Sequence, residues 1–270
     1  MSGRGFGVSA GLDSEVAVPL AERCAQLGYG SLWSNDHPAA SGLETLADFA
    51  RGNDEINLGV AVIALDRSSP TEISAKIDES GIDRRRLWLG VGAGFSKEPL
   101  TMMSDALPVL REQVPDVRLV LAAMGPKMCA LGGSGYDGVF FNWMTPEYAR
   151  EARACVEGGA DQAKRNPPPV FGYVRTSVGA DAETRLARDE GFYRDLHEGY
   201  RKHFERLGEP PGTVGIPAED PADADAALAR FDALDVTVVR ALAGAEFKKM
   251  DRVATAAAPS ARDSRNGPLA

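Results

Sequence analysis

Cysteine is scarce: Cys24, Cys129 and Cys155 are the chain's three, and none stands in a CxxC pair. That spacing excludes a disulfide framework and a thiolate zinc site, and it points to buried thiols in a reducing compartment. Histidine is equally rare, with His37, His197 and His203 alone. No partner ligands accompany them at metal-binding spacing, so no metal is expected. No stretch reaches the roughly 18 consecutive apolar residues of a membrane helix. The N-terminal MSGRGFGVSAG carries no apolar signal core either. Positive charge is also short, since 30 Lys and Arg stand against 39 Asp and Glu for a net charge of -9. That balance argues against nucleic acid or an anionic membrane as partner. The absences point to a cytoplasmic protein.

What is present is a chain of 270 residues, 44% hydrophobic and 26% charged, ordinary for a globular enzyme. Short runs rich in Val, Ile and Leu predict strands at 6–9, 31–34, 56–64, 87–91, 117–122, 138–142, 170–177 and 236–242. Most lack polar alternation, as parallel strands covered on both faces do. Helical periodicity falls between them at 14–27, 43–51, 70–79, 99–112, 127–131, 146–157 and, as one long helix, 182–207. Ser69-Pro70-Thr71-Glu72 and Thr145-Pro146-Glu147 each read as an N-cap, a first-turn proline and an acid. Eight strands separated by helices predict a (β/α)8 TIM barrel in one α/β domain over 1–253, with a doubly wound sheet as the second choice. The proline- and acid-rich 208–225 reads as a surface loop, and 254–270 as a disordered tail.

Barrel chemistry sits where strands run into loops at the C-terminal face. His37 follows the strand SLWS after Asn35 and Asp36; a neutral imidazole there suits proton transfer or a hydrogen bond to a cofactor, and a loop-capping histidine is the plainer alternative. Gly92-Ala93-Gly94 lets backbone approach a flat ligand, although the third glycine of a dinucleotide fingerprint is missing. Met124-Gly125-Pro126-Lys127-Met128 turns a strand into a helix whose first amides can seat a phosphate, or it is an ordinary turn. Asn142, Trp143, Arg67 and Arg175 also fall near strand ends. Trp143 suits a lid core or a pocket wall, and the two arginines suit salt bridges or an anionic ligand.

Five segments in order, LAERCAQLGYGSLWSNDH, LGVAVIALDRSSP, LWLGVGAGF, LAAMGPKM and YDGVFFNWMTPEYA, with a weaker echo in YRKHFERLG, resemble the bacterial-luciferase-like superfamily of flavin- and deazaflavin-dependent oxidoreductases. The resemblance covers roughly residues 5–177. It implies a (β/α)8 barrel and an oxidoreductase that transfers a hydride between coenzyme F420 and a small organic substrate, with an FMN-dependent monooxygenase using reduced flavin and oxygen, or a non-catalytic flavin- or F420-binding protein, as the alternatives. It carries His37 over as the acid/base beside ring and substrate, with Asp36 next to it. It puts a cis-peptide bulge at about Val62–Ile63 behind the ring. Gly92, Ala93 and Gly94 would lie close to the cofactor, the amides from Met124 to Met128 would take its phosphate, and Asn142 would face it. A homodimer is the family's common assembly. Two departures stand out: the segment after Gly94 is compact, and the glutamate and tryptophan of deazaflavin-dependent sugar-phosphate dehydrogenases are replaced by Phe95-Ser96 and Pro38-Ala39-Ala40. The substrate is therefore not readable.

Overall fold

The computed structural model describes residues 3–259. Its strands are β1 (Gly3–Val8), β2 (Ser31–Ser34), β3 (Asn57–Ala64), β4 (Leu87–Gly92), β5 (Arg118–Ala123), β6 (Gly138–Asn142), β7 (Val170–Val178), β8 (Ile216–Ala218) and β9 (Val236–Ala241). All pair in parallel in the order β6-β5-β4-β3-β2-β1-β9-β7, and β6 also pairs with β7. Eight strands thus close into the expected barrel. The short β8, which sequence reading left inside a surface loop, pairs with β7 at Thr176–Val178, beyond the point where β6 leaves that edge.

The covering helices are α1 (Ser14–Gln26), α2 (Gly42–Gly52), α3 (Pro70–Ser80), α4 (Pro99–Gln113), α5 (Pro126–Gly135), α6 (Pro146–Gln162), α7 (Ala182–Leu196), α8 (Glu198–Leu207), α9 (Ala222–Leu228) and α10 (Phe247–Ala256). The expected helix over 182–207 is two helices. His197 has extended backbone (φ -161, ψ 149), and its Nδ1 accepts from the Gly199 amide at 3.0 Å to cap α8. Both expected N-caps form, the first as a capping box: Ser69 Oγ accepts from Glu72 N while Glu72 Oε2 accepts from Ser69 N, and Thr145 Oγ1 accepts from Tyr148 N. Helix α10 runs to Ala256 with Ala254 buried, so the ordered domain extends past the expected boundary at 253. Of the expected tail, residues 260–270 lie outside the described residues.

Alternation along the strands sorts side chains between two cores. Outward positions such as Phe6, Val8, Leu32, Leu58, Leu89 and Val174 pack under the helices. Inward positions build an aromatic barrel interior of Trp33, Trp88, Phe140, Phe171 and Tyr173. Trp33 lies 4.9 Å from the Phe140 ring and 5.1 Å from that of Phe171, between centroids. Rings this large fit because glycines face them. A Cβ on Gly59 would fall 2.2 Å from the Trp33 ring, and one on Gly7 would fall 2.7 Å from Tyr173. Gly3 and Gly5 put the expected start of β1 three residues too late, since GRG carries no apolar signal.

Candidate active site

Above the aromatic interior, the inward side chains at the strand ends change character. Continuing the alternation, Ser9 follows β1, Asn35 follows β2, Asn142 ends β6, Arg175 lies on β7 and Arg240 on β9. They are linked. Arg240 Nη2 donates to Ser9 Oγ at 2.7 Å and to Asn35 Oδ1 at 3.3 Å, and that same oxygen accepts from the Ala10 amide. Arg175 donates from Nη1 to Asn142 Oδ1 and from Nε to Asp189 Oδ2 at 3.4 Å. Its guanidinium stacks 3.8 Å from the Trp143 ring. The mouth of the barrel is therefore a polar layer over an apolar floor.

The opposite wall belongs to β3 and β4. The peptide Ala61–Val62 is cis, one residue before the expected bulge. Val60 pairs with Leu89 and Ile63 with Val91, so β3 carries one extra residue across the bulge. Val62 packs with the barrel interior and stays partly exposed, whereas Ile63 turns into the outer core. Gly92 gives Val62 room, because a Cβ there would stand 3.1 Å from a Val62 methyl. Gly94 has φ +58, and its missing Cβ would overlap Asp66 Oδ1 at 1.8 Å. Asp66 Oδ2 also accepts from Phe95 N at 2.9 Å. Protein atoms thus already account for both glycines, and Ala93 is held between them.

His37 is half-buried at the end of β2, and its Nδ1 accepts from Ala39 N at 3.3 Å. That bond leaves the neutral ring's proton on Nε2, which makes no hydrogen bond to the described residues. Asp36, expected against the cofactor, caps α2 by accepting from Gly42 N at 3.0 Å. Arg67 is exposed on the β3–α3 loop. Trp143 is buried, with φ 51, beneath α7 and α8 beside Tyr193 and Phe204.

Helix α5 begins at Pro126 with no side-chain cap, so its first amides, including those of Lys127 and Met128, point out of the barrel end unpaired by a capping group. Lys127 is exposed beside them. The Met124 carbonyl accepts from Tyr148 Oη and, at 3.4 Å, from Arg206 Nη1. Arg206 also approaches His203 Nδ1 at 3.3 Å, while His203 Nε2 lies 2.5 Å from the Trp143 carbonyl oxygen. One tautomer satisfies both contacts: Nδ1 accepts and Nε2–H donates. Burial pushes His203 down to about 4.

Sequence reading missed Ser9, Asn35, Tyr173, His203, Arg206 and Arg240. One of these had a visible signal: in Arg240 an arginine interrupts the apolar run VTVVRALA, as the already expected Arg175 interrupts VFGYVRTSV, and both lie toward a strand's C-terminal end.

No family profile matches the chain. A 5,10-methylenetetrahydromethanopterin reductase from Methanolobus tindarius is 26% identical over 204 residues, 60% of this chain and 61% of that protein. The chain therefore aligns with about six tenths of the length of this curated relative. Among solved structures, an F420-dependent secondary alcohol dehydrogenase in complex with an F420–acetone adduct has a TM-score of 0.76 at 15% identity, covering 98% of this chain and 100% of that one. The coenzyme F420-dependent tetrahydromethanopterin reductase from Methanopyrus kandleri gives 0.71 at 15% identity, covering 94% and 96%. The oxygenating constituent of 3,6-diketocamphane monooxygenase from Pseudomonas putida, in complex with FMN, gives 0.64 at 13% identity, covering 95% and 98%. At these identities the likeness is one of fold.

Proposed function

From a luciferase-like (β/α)8 barrel, the fold this chain has in common with F420-dependent and FMN-dependent oxidoreductases, we propose an oxidoreductase that moves a hydride between coenzyme F420 and a small organic substrate. The observation that carries this reading is the division of the barrel mouth. An apolar Val62 on the β3 bulge faces the polar groups of Asn35, Asn142 and Arg175, and the uncapped α5 opens beside them. A flat heterocycle with a phosphate tail fits that set of groups: an apolar backing, polar edges and an anion seat.

In this reading the Lys127 and Met128 amides, with the Arg206 guanidinium, hold the phosphate through the partial positive charge of a helix N-terminus. Val62 backs the ring, and Asn142, kept in position by Arg175, meets a polar edge. When bound, F420 supplies or accepts a hydride and does not activate oxygen as a flavin does. The chain's own part in the reaction is the proton. His37 presents Nε2–H while Nδ1 accepts from Ala39 N. Uptake of a second proton from water at Nδ1, in place of that bond, makes it an imidazolium, which gives the Nε2 proton to the substrate oxygen that the hydride leaves negative and stays neutral with its proton on Nδ1. In the reverse direction the same nitrogen takes it back. The aromatic floor and Trp143 keep bulk water from below.

FMN with reduced-flavin monooxygenase chemistry is the second reading, favoured by the likeness to the FMN-bound monooxygenase. Titration of the purified protein with each cofactor, followed by ring fluorescence, separates the two. Micromolar binding of F420 with millimolar binding of FMN is the expected result. The reverse order assigns the monooxygenase reading, and binding of neither removes both. The reading also includes a homodimer in the cytoplasm, the former checked by light scattering.

A further inference from the structure

Arg175 and Arg240 are register partners on β7 and β9, so their side chains leave the same face of the barrel wall one strand apart. Both are buried, at 3% and 8% exposure. Two guanidinium groups in such surroundings repel each other and lose their hydration, and each needs an anion. The protein provides one. Asp189 reaches Arg175, while Arg240 meets only the neutral oxygens of Ser9 and Asn35. Its Nε and Nη1 donate to no group among the described residues, and burial, with Arg175 nearby, draws its pKa below the ordinary arginine value.

A second orphan lies directly below. Tyr173 is 4% exposed, and its hydroxyl has no hydrogen-bond partner among the described residues. Its ring lies under both arginines, 5.7 Å from the Arg240 guanidinium carbon and 5.9 Å from that of Arg175. Burial raises the Tyr173 hydroxyl well above its usual range, so it remains a donor. Unused guanidinium donors and one uncompensated positive charge therefore lie at one point of the mouth, over the ring that carries the unused phenol donor. That point is separate from the α5 amides, and it connects through Asn35 to the loop that carries His37.

We propose that Arg240 and Tyr173 seat the carboxylate of a small organic acid, which makes this chain's substrate an anionic carboxylic acid rather than a neutral alcohol or ketone. The inference rests on the oxidoreductase reading for the word substrate, but the binding site stands on the orphan donors alone. Guanidinium suits a planar carboxylate, with which it makes charge-assisted hydrogen bonds. The net charge of the chain is -9, so the buried positive charge at the mouth is a local feature and not the spill of a basic surface.

The test is calorimetric titration of the full-length protein at low salt with two isosteric pairs, pyruvate against pyruvamide and benzoate against benzamide. In at least one pair the acid is expected to bind about tenfold or more tightly than its amide, a difference of about 1.4 kcal/mol. Arg240→Gln abolishes that preference and Arg240→Lys keeps part of it, while F420 affinity, read by fluorescence, stays within about twofold in both. Equal binding of acid and amide in both pairs overturns the proposal, as does no binding of either. An Arg240→Gln protein that keeps the preference overturns it too. So does one that loses F420 affinity instead, because Arg240 then serves the cofactor. If Arg240→Gln does not fold, the wild-type pairs and Arg240→Lys still decide. Failure of F420 to bind removes the cofactor reading and leaves the acid-to-amide ratio to decide the seat.

Discussion

The Nε2–H of His203 donates to the carbonyl oxygen of Trp143, joining α8 to the end of β6 across sixty residues of chain. Arg206 occupies the other ring nitrogen, so the imidazole is held neutral and in one tautomer. Its folded pKa of about 4 lies below the roughly 6.5 of an unfolded histidine. Between those values the unfolded chain binds a proton that the folded chain refuses, so stability is full above about pH 6.5 and falls as the pH drops toward 4. The loss from this one group amounts to roughly 3 kcal/mol at most. Urea unfolding at pH 7 and pH 5 checks it: His203→Gln, which keeps a donor but does not titrate, should lose markedly less stability between the two than the wild type. An identical loss in both proteins rules out His203 as the source.

His37 is expected to act in turnover and not in folding or cofactor binding. His37→Ala should bind F420 normally and lose about 10² to 10⁴ in kcat with an identified substrate. Retained turnover removes the acid/base assignment.

The α5 seat predicts a phosphate-specific loss. Arg206→Ala should weaken F420 about tenfold while leaving its phosphate-free deazariboflavin core nearly unchanged, since a charge-assisted hydrogen bond to one exposed phosphate contributes about 1.5 kcal/mol. The ratio of the two affinities, measured by deazaflavin fluorescence, is the readout. An equal effect on both ligands places Arg206 away from the phosphate.

Gly94→Ala should destabilise the fold by about 2 kcal/mol or more, because the residue has φ +58 and its new methyl overlaps Asp66. Gly81→Ala makes a useful control, with φ +67 but open space around it. It should cost about 1–2 kcal/mol from backbone conformation alone. The difference between the two midpoints in urea isolates the clash.

The barrel was legible because its strands are continuous apolar runs, and nothing but a parallel sheet buried on both faces accounts for eight of them. The site was legible only where local chemistry reports it. His37 and the Gly125 turn follow apolar strands directly, so position alone marked them. Arg240 was hidden because its role depends on Arg175, sixty-five residues earlier, and only strand closure makes the two neighbours. Asp36 has a structural role that its place beside His37 does not show: its carboxylate serves the start of α2 six residues on. The long helix 182–207 broke at His197, where a side-chain cap outweighed an uninterrupted helical pattern.

The Trp33 indole occupies volume that Gly5 and Gly59 leave empty on either side of β2, with Cβ positions that would fall 3.1 Å and 2.2 Å from its atoms. The three positions therefore share a single allowance of space across three strands. Substitution of either glycine alone meets a ring, and shortening Trp33 alone opens a hole among the aromatics. The allowed steps through sequence space are simultaneous or compensated ones, so in any lineage of this barrel these positions should change together or not at all.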